Sequence, residues 1–388
     1  SIWIKGGSDM DGISKKGINR ILCSLLTRGC EGFDNFALCD YIASHGAELN
    51  REIFEDGISI SIKCINEHFS KLLPLLELII SKPILSEVEF HKVKKSSIDF
   101  IKKEKENPFN ICFEKWRKIV YLNHPYASNT IGNENDVSKI TYEDVLWEFK
   151  SFENREKYLI SNNLEINGEN LRTLQKEILK EKSRPINYDL SPMDRFDYVN
   201  NKSNQTIIMI GNQACSRRSS EYLPLKVLES YLSYGMSAAL FKIFREKNGI
   251  TYDLGVFNPI RSGNAPFLVY LSVSNKNALY AFELLSSLWR NLLLNPLNDD
   301  EIYLAKEKLK GSFLLGNQSL DEILQRKIQL ISYGILPFSE VDLNSRINEI
   351  SSLNLIQLTN KYFSKPFLSI SGNKKICLEI KTRWINNF

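Results

Sequence analysis

Histidine is scarce in this chain and cysteine is unpaired. The four His, at 45, 68, 91 and 124, stand singly, with no second His four residues away. His45 and Glu48 have a ligand-like spacing, but Gly46 between them ends a helix, and zinc needs more than two such groups. Structural or surface histidines are expected at all four positions. The seven Cys, at 23, 30, 39, 64, 112, 215 and 377, form no Cys-x-x-Cys pair. Their odd number and irregular spacing point to reduced, mostly buried thiols in a reducing, cytoplasmic compartment, and against a disulfide framework or a structural zinc site.

Other absences narrow the function further. No apolar run reaches membrane-spanning length; the longest, Leu72 to Ile80, contains Pro74 and Glu77. A net charge of +4 over 388 residues is too small to argue for nucleic acid, and no basic stripe is interleaved with aromatics. The lysines between Lys92 and Lys105 recur at helical spacings among Val93, Ile98 and Ile101, as on a solvated helix face. No Gly-x-Ser-x-Gly elbow, phosphate-binding glycine loop or dinucleotide fingerprint occurs. The chain opens at Ser1 within what reads as a strand, so preceding residues are expected.

What is present is an internal repeat. Pro83 to Lys95 matches Pro296 to Lys308, pairing Pro83 with Pro296, Phe90 with Tyr303 and Lys95 with Lys308. An apolar helix precedes each Pro, at Leu72 to Ile80 and Ala281 to Leu294, and a charged helix follows it. Upstream lie alternating strands, Ile58 to Ile62 and Leu268 to Val273. Further back, Gly46 and Gly249 each close a helix where a positive φ is needed. The pattern predicts an α+β protein of two homologous domains, each a mainly antiparallel sheet with helices packed on one face. The domains are placed at 1–178 and 197–388; the polar stretch 179–196, holding Pro185 and Pro192, has a linker's composition.

Three stretches carry a family resemblance. Residues 235–256 read Gly-Met-Ser-Ala-Ala-Leu-Phe-Lys-Ile-Phe-Arg-Glu-Lys-Asn-Gly-Ile-Thr-Tyr-Asp-Leu-Gly-Val. The N-terminus reads as a strand from Ile2 to Lys5, a loop at Gly7-Ser8-Asp9, and a helix opened by Gly17-Ile18-Asn19-Arg20-Ile21-Leu22-Cys23-Ser24. Between them come His124-Pro125-Tyr126, Gly132 and a helix start at Ile140-Thr141 with Asp144. This order resembles the insulinase, pitrilysin and mitochondrial-processing-peptidase family of zinc metallopeptidases over nearly the whole chain.

The resemblance implies a lost metal site. The family's inverted motif His-x-x-Glu-His supplies two zinc ligands and the Glu that polarises water. Here Arg20 stands at the first His, Cys23 at the Glu and Ser24 at the second His. The third ligand, a Glu on the charged helix after the Pro, has no counterpart between Phe90 and Lys103, where Asp99 is the sole carboxylate. No bound metal, no cofactor and no hydrolysis by this chain alone are therefore expected. Cys23 as a nucleophile would need a base and thiolate stabilisation; Arg20 could lend charge, but a buried helix Cys is usually inert.

Arg245 and Tyr252 remain. Read alone, Arg245 offsets a helix C-terminal dipole and Tyr252 is half-buried sheet. The resemblance instead implies substrate binding, the guanidinium fork holding a peptide carbonyl or carboxylate and the phenol donating to a developing oxyanion. Some family members are heterodimers in which one subunit carries zinc and the other this Arg/Tyr pair. The mitochondrial α-subunit's glycine-rich loop is missing, since Tyr222 to Ser237 has only Gly235. The leading expectation is a non-catalytic, substrate-binding subunit that pairs with a zinc-bearing subunit to cleave unfolded peptides. The alternatives are a scaffolding homologue without proteolytic role and a homodimeric peptide-binding module.

Overall fold

The computed structural model describes residues 1–161, 190–251, 253–316, 319–335 and 340–388. Tyr252 and positions 179–189 of the expected linker lie outside them. The chain divides into two compact units. One takes in Ser1–Glu106, the described residues of Asn123–Leu174, and Leu324–Gly334; the other holds Asn107–Leu122, the described residues of Gln175–Ile323, and Ile335–Phe388.

The first unit contains β1 (Ile2–Lys5), α1 (Ile18–Leu26), α2 (Asn35–Ser44), β2 (Glu48–Ile53), β3 (Gly57–Lys63), α3 (Phe69–Ser81) and α4 (Glu87–Glu104). In chain order there follow α5 (Pro108–Tyr121), which belongs to the second unit, then α6 (Glu134–Lys139), α7 (Tyr142–Glu153) and β4 (Lys157–Leu159). Its sheet is wholly antiparallel, ordered β2-β3-β1-β4. Alternation explains the core. Ile58 and Ile60 of β3 and Ile4 of β1 are fully buried with Ile21, Leu22 and Leu25 of α1 and with Leu76 and Ile79 of α3.

The second unit comprises α5, β5 (Phe196–Asn200), β6 (Gln205–Gln213), α8 (Tyr222–Ser233), β7 (Asp253–Phe257), β8 (Pro266–Ser274), α9 (Ala278–Leu294) and α10 (Asp299–Leu315). After α11 (Leu320–Ser332), whose residues from Leu324 belong to the first unit, come α12 (Glu340–Asn348), α13 (Ser352–Tyr362), β9 (Phe367–Gly372) and α14 (Lys374–Asn387). Its sheet runs β5-β9-β6-β8-β7, with only β5–β9 parallel. Read from β7, the order β7-β8-β6-β9 repeats β2-β3-β1-β4 of the first unit. The α+β architecture and the repeated order of strand, apolar helix and charged helix are those the sequence predicts.

Two helices refine the expectation of helices on one face. Helix α5 lies on the far face of the second sheet, its Cys112 thiol 3.6 Å from the Ser369 hydroxyl and Phe113 edge-on to Phe257 at 5.1 Å. In the first unit Ile328 and Ile331 of α11 bury Trp3 and Tyr158. The stretch 190–196, expected as linker, is docked in its own unit: Arg195 donates to the Pro366 carbonyl at 2.9 Å and Trp384 to that of Pro192 at 2.8 Å. All seven cysteines are free, and among the described residues no helix is long and apolar enough to cross a membrane.

Candidate functional site

Helix α1 starts one residue later than expected, because Gly17 is its cap, at φ +97°. Gly17 has no side chain to close the first turn, so Asp11 does it from a distance. Its carboxylate accepts from the Gly17 amide at 2.6 Å and from the Asn19 amide and side chain at 3.1 and 2.9 Å. Asn19, fully buried, also accepts from Arg155 at 2.9 Å. Gly132, at φ +75°, packs against this start; a Cβ there would lie 2.3 Å from the Lys16 carbonyl oxygen. The helix is thus held rigidly at the residues that precede the degenerate motif.

The motif's outer residues form one face of α1, where Arg20 and Ser24 recur at i and i+4, both half-buried, and Arg28 follows in the turn after the helix. Cys23 points inward, 3% exposed, and burial pushes its thiol up to about 12. Arg20 does not reach a carboxylate. Its guanidinium carbon lies 4.5 Å from the centre of the Phe100 ring on α4. The residue of α4 that meets Arg20 is therefore Phe100, and Asp99, the carboxylate considered from the sequence, is turned out to solvent. Arg51 of β2 was not foreseen. It pairs with Ile60 as Leu49 pairs with Ile62 and Ile53 with Ile58, so strict alternation sets it on the α1 side of the edge strand. Partial desolvation lowers the pKa of both Arg20 and Arg51, and neighbouring guanidinium charge adds to it, Arg51 acting on Arg20 and Arg28 on Arg51.

This face offers two guanidiniums, a hydroxyl and a thiol held protonated. Zinc prefers imidazole, thiolate and carboxylate, so the donor set does not suit it. Among the described residues no three His, Cys, Asp or Glu side chains gather as metal ligands. The histidines have local work instead: His45 contacts the Tyr41 carbonyl at 2.7 Å and packs edge-on to His68, while His124 accepts from the Tyr126 amide at 3.1 Å.

In the second unit Arg245 lies in Phe241–Lys247, a segment wound as a π-helix. Such widened turns are uncommon and often sit at functional positions. The Arg245 side chain is exposed, its guanidinium carbon 4.9 Å over the Phe241 ring. The turn that follows is tightly specified. Gly249, at φ +58°, donates to the Arg245 carbonyl at 3.1 Å; Ile250 donates to that of Phe244 at 2.9 Å; Asn248 bonds the Ile243 carbonyl and accepts from Tyr280. The chain then enters β7, the edge strand of its sheet among the described residues. Nothing is described of Tyr252, so its approach to Arg245 rests on the sequence.

Helix α8 holds the place in this unit that α1 holds in the first. Lys226 and Glu229 there form a buried ion pair at 2.6 Å, and Lys226 also donates to the Asn258 carbonyl at 2.8 Å. The stretch Lys226-Val227-Leu228-Glu229-Ser230 lines up with Arg20-Ile21-Leu22-Cys23-Ser24.

Two protein-family models match this chain. Residues 1–134 match "Insulinase (Peptidase family M16)", and residues 149–309 match "Peptidase M16 inactive domain". The chain belongs to the M16 peptidase family. The degenerate face of α1 lies in the part matched by the insulinase model, and Arg245 in the part matched by the inactive-domain model. An uncharacterised zinc protease of Rickettsia felis is 23% identical over 372 residues, covering 93% of this chain and 88% of that protein. One from Rickettsia bellii is 20% identical, over 94% and 89%. Two solved structures share the fold with a TM-score of 0.80. They are a peptidase M16 inactive domain from Pseudomonas fluorescens, at 20% identity, and a protease from Helicobacter pylori, at 17%; each comparison covers 96% of this chain and 92% of the other.

Proposed function

We propose that this M16 chain is the non-catalytic, substrate-binding subunit of a two-subunit zinc endopeptidase acting on unfolded peptides. The carrying observation is the contrast between two places. Where the family holds its metal and base, Arg20 is stacked on Phe100 and Cys23 is a buried, protonated thiol. Where it grips substrate, Arg245 is exposed on a turn fixed by Gly249 and Asn248. The chain binds no zinc of its own, and the metal and the general base come from a partner chain of the same family. Arg245 then offers a planar fork of donors to a peptide carbonyl or carboxylate, pre-organised by its stacking on Phe241, and Tyr252 adds a phenolic donor.

The scaffolding reading assigns Arg245 no more than the offsetting of a helix C-terminal dipole. A mixing experiment separates the two. Peptidase activity on an unfolded peptide is measured for this chain, for a zinc-bearing M16 partner, and for both together. Activity that appears only in the mixture supports the proposal; a partner equally active alone refutes it in favour of a scaffold.

A further inference from the structure

Phe244 of the π-helical segment is fully buried, and Ile250 beyond it packs on the same core, while the residues between them, Arg245 to Gly249, are exposed or half-buried. A guanidinium on such a turn is held only as firmly as the turn itself. One side-chain amide ties it down. Asn248 Nδ2 donates to the Ile243 carbonyl at 2.7 Å, and Asn248 Oδ1 accepts from the Tyr280 hydroxyl at 2.8 Å. The backbone amides of Asn248 and Gly249 both donate to the Arg245 carbonyl, so the backbone of Arg245 follows wherever Asn248 goes.

Tyr280 supplies the fixed end. It stands in the first turn of α9, where Ala278, Ala281 and Phe282 are fully buried, so the helix beneath it is part of the packed core. Its own side chain is 48% exposed, and its hydroxyl reaches Asn248 across the surface. A primary amide offers a donor and an acceptor from one planar group, so both bonds are made without a charge. A carboxylate at 248 would turn an oxygen toward the Ile243 carbonyl and lose the first bond. A phenylalanine at 280 would lose the second and nothing else.

We propose that Tyr280, acting through Asn248, is a positioning residue for Arg245: it touches no substrate and holds the turn from which the guanidinium meets a peptide. This rests on the substrate-grip reading and adds the strut behind the grip. The test uses the full-length chain mixed with a zinc-bearing M16 partner and an internally quenched neutral peptide. Tyr280→Phe is expected to lower kcat/KM about three- to tenfold, the worth of one neutral hydrogen bond, and to do so through kcat, with KM and the unfolding temperature unchanged. Asn248→Asp acts in the same direction, and adding Tyr280→Phe to it slows the mixture no further. In the Arg245→Ala background Tyr280→Phe has no effect, because the group it positions is gone. A natural rate for Tyr280→Phe, or an equal slowing with and without Arg245, overturns the positioning role while leaving the grip intact. If Arg245→Ala itself cleaves at the natural rate, the grip reading fails and this inference with it.

Discussion

Arg20 lies over Phe100, its guanidinium carbon 4.5 Å from the ring centre. That contact joins the two helices that would have to share a metal, and it replaces ligand chemistry with a cation on an aromatic face. Elemental analysis after chelator-free purification should therefore find no stoichiometric zinc. The double variant Arg20→His/Ser24→His should still bind zinc weakly, because α4 presents Phe100 to it. Adding Phe100→Glu completes three ligands and should produce tight binding. One firmly held zinc in the natural chain would overturn this account.

Burial holds the Cys23 thiol near 12, so at pH 8 about one molecule in ten thousand carries the thiolate. Iodoacetamide at that pH should leave Cys23 unmodified in the folded protein while alkylating the exposed Cys39. Mass spectrometry of the digest decides it. Rapid labelling of Cys23 would revive a nucleophilic role.

Much of the fold could be read in the chain because its signals are local. The alternation of Ile58, Ile60 and Ile62, the Pro before each charged helix and the glycines at 46 and 249 need no long-range knowledge. Both glycines have the positive φ expected, +57° and +58°. The destination of α5 was hidden, since Phe109, Cys112, Phe113 and Trp116 mark an apolar face without saying which sheet it covers. At the candidate site, the sequence singled out Arg20, Cys23 and Ser24 but passed over Phe100 and Arg51. Asp99 drew attention by its chemistry, whereas helical phase turns the neighbouring Phe100 to Arg20. Arg51 could have been found from strand period alone, as the one charge in the row Leu49, Arg51, Ile53.

Burial pushes the Asp11 carboxyl up to about 6, against the opposing hydrogen bonds from Gly17 and Asn19. In the unfolded chain it ionises near pH 4. The folded state thus holds this proton more tightly, so the contribution to stability is complete below pH 4 and is lost as pH rises through 6, by roughly 2–3 kcal/mol. Asp11→Asn has no such proton. The stability of the natural chain relative to Asp11→Asn should fall between pH 4 and pH 6.5 in urea titrations. A flat or rising difference would show that Asp11 is not desolvated as described.

The Lys226–Glu229 pair occupies on α8 the positions that Arg20 and Cys23 occupy on α1, and it is buried. Lys226→Met strands a buried carboxylate and should cost about 3–5 kcal/mol, whereas Lys226→Met/Glu229→Leu should cost far less, because neither charge is then left unpaired. Urea unfolding of both variants tests this. Equal destabilisation would mean that the pair contributes packing volume and little else.

Arg245 is exposed and stacks on Phe241, within a turn held by backbone bonds that do not use its side chain. Arg245→Ala should therefore leave folding and pairing with a zinc-bearing partner intact while lowering kcat/KM of the mixture. Loss of one donor beside a developing oxyanion costs on the order of 3 kcal/mol, a factor of about a hundred. Tyr252→Phe, which keeps the ring and removes only the hydroxyl, should act in the same direction. Arg20→Ala supplies the contrast: Arg20 stands at a lost ligand position over the Phe100 ring, and its removal should change the activity of the mixture little. If the Arg245 and Tyr252 variants both cleave a neutral peptide at the natural rate, the grip lies elsewhere and the chain is better understood as a scaffold.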